Sequence, residues 1–267
     1  MRIINDNHIT EFERYLKEEE KSGATLEKYI RDINMFRKWL NRAVIEKETV
    51  LKYKNKMIEE YAASSVNSMI SSLNSFFAFH EWHELRVKTV KIQRQIFASD
   101  EKELTKPEYE RLLKVAQSKK NERLYLLMQT ICSSGMRVSE LKYVTVEALQ
   151  KEYAEVKNKG KLRRVFLPRE LCRMLKSYCK AQNRKSGTVF VTRNGKPLDR
   201  SNIWSDMKKL CKAAGVSEQK VFPHNLRHLF ARTYYSLQKD VVRLADILGH
   251  SSVNTTRIYT METGKIH

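Results

Sequence analysis

Eight glycines and four prolines are spread over 267 residues. Glycine breaks regular structure through its backbone freedom, and proline through its locked φ and missing N–H. A chain with so few of either is left with long uninterrupted runs, and these point to a helix-rich fold.

The apolar periodicity agrees. The spacing predicts a first helix over His8 to Lys21, carrying Phe12, Tyr15 and Leu16, with Gly23 as its stop. Thr25 is the expected N-cap of a second helix, in which Leu26, Tyr29, Ile33, Phe36, Trp39 and Leu40 recur at helical spacing. A third helix is expected over Val50 to Ala62 with Thr49 as its cap. A fourth, capped by Ser64 or Ser65, places Val66, Met69, Ile70, Leu73, Phe76 and Phe77 on one stripe. Four short amphipathic helices with aromatic stripes make a bundle, and these aromatics read as core.

The pattern then breaks. Arg86 to Glu103, "RVKTVKIQRQIFASDEKE", has no helical period and reads as an extended basic linker. Helix resumes at "LTKPEYERLL", where Thr105 and Glu108 fit a capping box with Pro107 in the first turn. A helix from Glu122 to Ser134 ends at Gly135. The alternation over Tyr153 to Lys157 and Arg164 to Leu167 predicts a β-hairpin, with Asn158 to Lys161 between its arms. "TVFV", from Thr188 to Val191, is a candidate strand. Further helices are expected around Glu170 to Gln182, Arg200 to Ala214, Asn225 to Ser236, Val241 to Leu248 and Val253 to Tyr259. The expected fold is mainly α with a small β-sheet (α+β), with a helical domain at 1–85, a linker at 86–103 and a second domain at 104–267.

Composition narrows the function. Lysine and arginine number 51 against 31 acidic residues, a formal charge of +20. Such a field attracts polyanions, and nucleic acid rewards many Lys/Arg contacts through counterion release. An anionic membrane surface fits less well, because the basic residues are dispersed through helical patterns and form no juxtamembrane block. No run approaches the ~18 apolar residues of a membrane span, and the N-terminus lacks the apolar stretch of a signal peptide. A cytoplasmic protein is expected. The cysteines, Cys132, Cys172, Cys179 and Cys211, form no C-x-x-C pair and read as reduced thiols.

Four local patterns of the second region carry chemistry-bearing residues. They are "SSGMRVSEL" around Arg137, "NKGKLRRVFLP" around Lys159, "PHNLRH" from Pro223 to His228, and "LADILGHSSVNTTRIYT" with His250 and Tyr259. Singly, each has an ordinary reading. An arginine in a basic chain is usually solvated or touches phosphate, and a lone tyrosine is usually packing. His224 and His228 stand four apart on a predicted helix, but the glutamate of H-E-x-x-H is missing, so zinc is not expected. "NKGK" lacks the G-x-x-x-x-G-K-[ST] of a P-loop.

Taken together and in this order, the patterns resemble the tyrosine recombinase family of phage-integrase and Xer-like enzymes. The resemblance covers essentially the whole chain and is strongest over Leu104 to Tyr259; the preceding helical region is similar to the family's core-binding domain. It implies a site-specific DNA recombinase that cleaves and rejoins DNA through a covalent 3′-phosphotyrosyl intermediate and a Holliday junction, without metal, ATP or other cofactor.

By that resemblance Tyr259 is the nucleophile, and Arg137 and Arg227 hold the non-bridging phosphate oxygens. Lys159 is the general acid for the leaving 5′-oxygen, with Lys157 and Lys161 close by in sequence. His224 serves acid–base work or phosphate hydrogen bonding, and His250 hydrogen-bonds the scissile phosphate. Glu140 braces the site from behind, and His228 packs or orients its helix. The chemistry is consistent: guanidiniums stay charged throughout. Tyrosine, with a free pKa of about 10, needs a base or a strong positive field before it attacks.

The implied partners are double-stranded core recombination sites and other copies of the chain, in a synaptic tetramer on DNA, with no membrane. No arm-binding domain is expected before the first helix. Members of that family often carry a longer terminal helix that docks into a neighbouring protomer, and with only "TMETGKIH" after Tyr259 that mode of assembly is not expected here. Two other readings are a DNA-binding regulator that kept the scaffold without its chemistry, and a type IB topoisomerase-like enzyme that relaxes supercoils.

Overall fold

Asn5 opens the first helix of the computed structural model. Its side chain accepts the backbone N–H of His8 at 2.9 Å, satisfying one of the donors that a helix start leaves unpaired. The structure describes residues 2–92, 103–158, 161–250 and 252–259. The chain divides into two units, Met1–Arg94 and Gln95–His267.

The first unit holds α1 (Asp6–Glu18), α2 (Gly23–Leu40), α3 (Lys47–Glu60) and α4 (Ala63–Phe79). Phe12, Ile33, Phe36, Val66, Phe76 and Phe77 are wholly buried between them. Helix starts differ from the expectations. The cap of α2 is Ser22, not Thr25, and Gly23 is the first residue of that helix rather than the stop of α1. The turn after α1 takes its left-handed step at Glu20, at φ +52°, before the glycine is reached. Helices α3 and α4 begin a few residues early, after Glu46 and Ala62, with no side-chain cap. Their apolar faces hold them instead.

The segment expected as linker begins on this unit. Asn74 exchanges two hydrogen bonds with the backbone of Val87 (2.8 and 3.0 Å), and Asn67 does the same with Val90 (2.9 and 2.7 Å). Val87 is buried. Residues 93–102 lie outside the described residues.

The second unit runs α5 (Lys106–Ser118), α6 (Glu122–Ser134), a 3-10 turn (Val138–Tyr143), α7 (Val146–Lys151), β1 (Tyr153–Asn158), β2 (Lys161–Phe166), α8 (Arg169–Ala181), α9 (Arg200–Ala214), α10 (Pro223–Gln238), α11 (Val241–Leu248) and α12 (Val253–Thr256), which continues as a 3-10 turn through Arg257–Tyr259. The Thr105–Glu108 capping box forms as expected. The hairpin is antiparallel from Tyr153↔Phe166 to Asn158↔Lys161, so its arms run further than the alternation suggested. Its turn, 159–160, lies outside the described residues. "TVFV" is not a strand: it makes only isolated bridges, Thr145↔Thr188 and Val191↔Pro197. Val189 and Phe190 are core residues of a connecting loop. Helix α7, capped by Thr145, was not among the expected elements.

Helix α6 is the hub, packed against α5, α8, α9 and α10. Leu127, Ile131, Leu149, Val156, Leu175, Met207 and Leu226 are fully buried around it or within 1% of it. Each such side chain contributes about 1.5–3 kcal/mol on burial. The α6–α10 contact sets the site, because it brings the end of α6 at Gly135 against the buried face of α10. Cys172, Cys179 and Cys211 are buried and free, and Cys132 is half-buried and free. Among the described residues no helix is long and apolar enough to cross a membrane.

Candidate active site

Gly135 ends α6 in the left-handed region at φ +65° and turns the chain into the 3-10 segment. Arg137 follows at once. Its backbone N–H donates to Glu140 Oε2 at 2.7 Å and its Nη1 to Glu140 Oε1 at 3.0 Å. Glu140 is 1% exposed. A buried carboxylate needs compensation, and a second guanidinium supplies it: Arg163 Nη2, from β2, donates to Glu140 Oε2 at 2.7 Å. Arg163 points inward in phase with Val165, while Leu162, Arg164 and Phe166 face solvent.

The C-terminus of α11 gathers the arginines. Three consecutive carbonyls each accept from a different one: Ile247 from Arg163 Nη1 (2.8 Å), Leu248 from Arg227 Nη2 (2.7 Å) and Gly249 from Arg137 Nη2 (3.2 Å). These are carbonyls that a helix end leaves without partners, and they form the negative pole of its dipole. Arg227, on the inner face of α10, is 1% exposed and also donates to the Gly135 carbonyl at 2.6 Å. Burial and then the charge of Arg137 push it down to about 10, so it remains charged at neutral pH.

Gly249, at φ +63°, caps α11 and delivers His250. His250 Nε2 lies 3.0 Å from Arg227 Nη2, and its Nδ1 lies 2.8 Å from Thr256 Oγ1. Ser252 caps α12, the short helix that leads to Tyr259. Tyr259 is 5% exposed. Its ring stacks on His250 at 6.2 Å between centroids and meets His228 edge-on at 4.9 Å. His228 in turn meets His224 edge-on at 4.4 Å.

The electrostatics favour a bound anion. Burial, then the guanidiniums of Arg227, Arg137 and Arg163, hold His250 down at about 4. Burial, His224 and Arg227 bring His228 to about 4, and His224 is lowered by burial and by Arg227, Arg200 and Arg137. Tyr259 is raised by burial, against the pull of the Arg227 and Arg137 charges. The ordinary state of the site is therefore neutral imidazoles and a neutral phenol among charged arginines. A groove of about 1120 Å³ opens onto Arg137, His224 and Arg227 and runs past Arg200, Trp204 and Lys208.

The structure thus brings together Arg137, Glu140, His224, Arg227, His228, His250 and Tyr259. Lys159 lies outside the described residues. No third His, Cys, Asp or Glu joins His224 and His228 in a metal-holding group among the described residues. Two contributors were not singled out from the sequence. Arg163 carried a signal, a charge in the inward phase of an alternating strand. Thr256 carried none beyond lying three residues before Tyr259.

Comparison with known proteins identifies the chain's family and fold. Residues 102–265 match the phage integrase family, and residues 9–84 match the phage integrase N-terminal SAM-like domain. The chain is 29% identical over 280 residues to the tyrosine recombinase XerA of Pyrococcus furiosus, covering 99% of this chain and 92% of that protein. It is 31% identical over 263 residues to a tyrosine recombinase of Pseudothermotoga lettingae, covering 89% and 87%. Among solved structures, a XerA recombinase crystal structure matches with a TM-score of 0.55 at 27% identity, covering 97% of this chain and 94% of that one. A lambda integrase dimer bound to a COC′ core site shares the fold, with a TM-score of 0.80 at 21% identity over 99% of this chain and 97% of that one. With one family match spanning most of its length and a second spanning its helical unit, this chain belongs to the phage integrase family.

Proposed function

We propose that this chain is a tyrosine-type site-specific DNA recombinase and that Tyr259 is its nucleophile. The observation that carries the reading is the packing of Tyr259 against His250 and His228, beside the buried guanidinium of Arg227 in the same chain.

In this reading the scissile phosphate enters the groove beside Arg137 and Arg227. Arg227 Nε is buried with no hydrogen-bond partner among the described residues, and the Arg227 guanidinium acts on Tyr259, pulling its pKa down against the effect of burial. Tyr259 Oη attacks phosphorus, the bond from phosphorus to the 5′-oxygen breaks, and the chain keeps the 3′-phosphate as a phosphotyrosyl ester. The ester conserves the bond for rejoining, so no ATP is consumed. The leaving 5′-oxygen takes a proton from Lys159. His224, held neutral, handles the tyrosine's proton or hydrogen-bonds the phosphate, and His250 hydrogen-bonds the phosphate. Glu140 keeps Arg137 aimed, and His228 supports the tyrosine ring. Charge spread over the phosphorane is met by fixed guanidiniums.

Residues 1–85 act as the core-binding domain and 104–267 as the catalytic domain, joined by 86–103. A structure of similar fold is a lambda integrase tetramer bound to a Holliday junction, and by that likeness the working assembly is a tetramer on paired core sites, acting on DNA in the cytoplasm, at the nucleoid.

The test is trapping on a nicked suicide duplex followed by peptide mapping. The expected result is an adduct at Tyr259 alone. Tyr259→Phe should bind the same duplex with the same steep salt dependence and form no adduct. An adduct at another tyrosine overturns the assignment. Plasmid relaxation without recombinant products overturns the recombinase reading in favour of a topoisomerase-like activity.

A further inference from the structure

The ring of His250 is held from both sides, and the two sides make different demands. Arg227 Nη2 stands 3.0 Å from Nε2. A guanidinium has no acceptor, so Nε2 must present its lone pair. The neutral ring then carries its hydrogen on Nδ1. That hydrogen points to Thr256 Oγ1 at 2.8 Å, and the hydroxyl accepts it. Burial and the three nearby guanidiniums keep the ring neutral at pH 7, so the choice between tautomers is a real one.

A phosphate oxygen reverses the demand. It is an acceptor, so Nε2 must now carry the hydrogen and Nδ1 must present a lone pair. A partner at Nδ1 that only accepts or only donates would oppose one of these two states. A hydroxyl serves both by rotating about its C–O bond. Thr256 is 0% exposed, so no bulk water substitutes for it. In a helix a threonine hydroxyl often turns back to the carbonyl four residues earlier; this one points to His250.

Its place in the chain adds a consequence. Thr256 is the last residue of α12 and Tyr259 the last of the 3-10 turn that continues it. The group that orients His250 therefore travels with the tyrosine.

We propose that Thr256 is the positioning residue of His250, accepting from Nδ1 in the empty site and donating to it once Nε2 faces a phosphate, so that His250 is aligned only while the segment bearing Tyr259 is docked. The inference rests on the recombinase reading for its phosphate, but its first test does not.

That test is 15N NMR of the full chain labelled at histidine, with the His250 signals identified by their loss in His250→Gln. Without DNA, the wild type and Thr256→Ser should show an Nδ1–H ring, and Thr256→Val a mixture of tautomers, because the buried Nδ1–H then lacks an acceptor and this cost offsets the Arg227 contact at Nε2. On a duplex bound by Tyr259→Phe, the ring should become Nε2–H, and adding Thr256→Val should block that change. In adduct formation, Thr256→Val should be slower by up to ~100-fold, the scale of loss when a group at the reacting centre is misplaced. Thr256→Ser should keep most of the rate, which separates the hydroxyl's role from a packing or folding defect. An unchanged His250 pattern in Thr256→Val, or an unchanged cleavage rate, overturns the proposal. If the wild type itself forms no adduct, the recombinase reading fails, and the DNA-free spectra still decide whether Thr256 orients His250.

Discussion

Arg163 occupies the space that any side chain at residue 249 would need. A Cβ built on Gly249 would stand 2.6 Å from Arg163 Cδ and 2.7 Å from its Nε. The hairpin and the Gly-His turn are therefore fitted to each other, and Arg163 reaches Glu140 and the Ile247 carbonyl only because residue 249 has no side chain.

Gly249→Ala should consequently do two kinds of damage. The backbone at φ +63° costs an alanine about 1–2 kcal/mol, and the methyl group must push the Arg163 stem aside. We expect a loss of stability of about 1–3 kcal/mol in urea unfolding and a larger loss in adduct formation, because His250 is the next residue. A variant that unfolds at a lower midpoint yet cleaves like the wild type would show that the Arg163–Gly249 fit does not align His250.

Gly135 has a different neighbour and a separable prediction. Its missing Cβ would fall 2.4 Å from the Phe230 ring, and its φ is +65°. Gly135→Ala should destabilise through overpacking, typically about 1–3 kcal/mol, together with backbone strain. Phe230→Leu in the same chain should restore the overpacking part and leave the strain. Urea unfolding of the two single variants and the double variant checks this. Strictly additive losses would mean that the ring yields at no cost.

Much of this was legible in the sequence because period and punctuation agreed. Glu122 to Ser134 with Gly135 after it, and Val241 to Leu248 with Gly249 after it, are each an apolar stripe closed by a left-handed glycine, and both helices have the expected bounds. Helix starts were less legible where packing does the work of a cap, as at α3 and α4. "TVFV" has strand composition but lacks a neighbour to pair with along its length, a long-range condition that no local pattern records. In the site, Arg137, His224, Arg227, His250 and Tyr259 stood out because their order forms a motif. Arg163 and Thr256 stay hidden until folding brings residue 163 beside residue 140 and turns residue 256 toward residue 250.

Glu140 joins two of the arginines, and its removal should expose how they depend on it. It is 1% exposed between Arg137 and Arg163. Removing one member of a buried ion pair costs about 3–5 kcal/mol; the partial exposure of both arginines should lower this to about 2. Glu140→Gln keeps one acceptor and loses the charge, so it should destabilise. Arg163→Met in the same chain should recover part of that loss by removing the guanidinium left uncompensated. A double-mutant cycle in urea should give a coupling of about 1–2 kcal/mol. No measurable coupling would mean that the carboxylate acts on Arg137 alone.

The depressed histidines make stability depend on pH, and the sign follows from linkage. His228 and His250 are held at about 4 in the folded chain, against 6.5 for a free imidazole, and His224 is lowered as well. Between those values the unfolded chain binds more protons than the folded one, so stability rises with pH. The contribution is complete above about 6.5, shrinks as the pH falls below that value, and is lost once the pH has dropped through about 4. Urea midpoints of the full chain should fall from pH 7 to pH 5, and His228→Gln should flatten that slope. A midpoint that holds constant from pH 7 to pH 5 would mean that these imidazoles are solvated and charge freely in the folded chain.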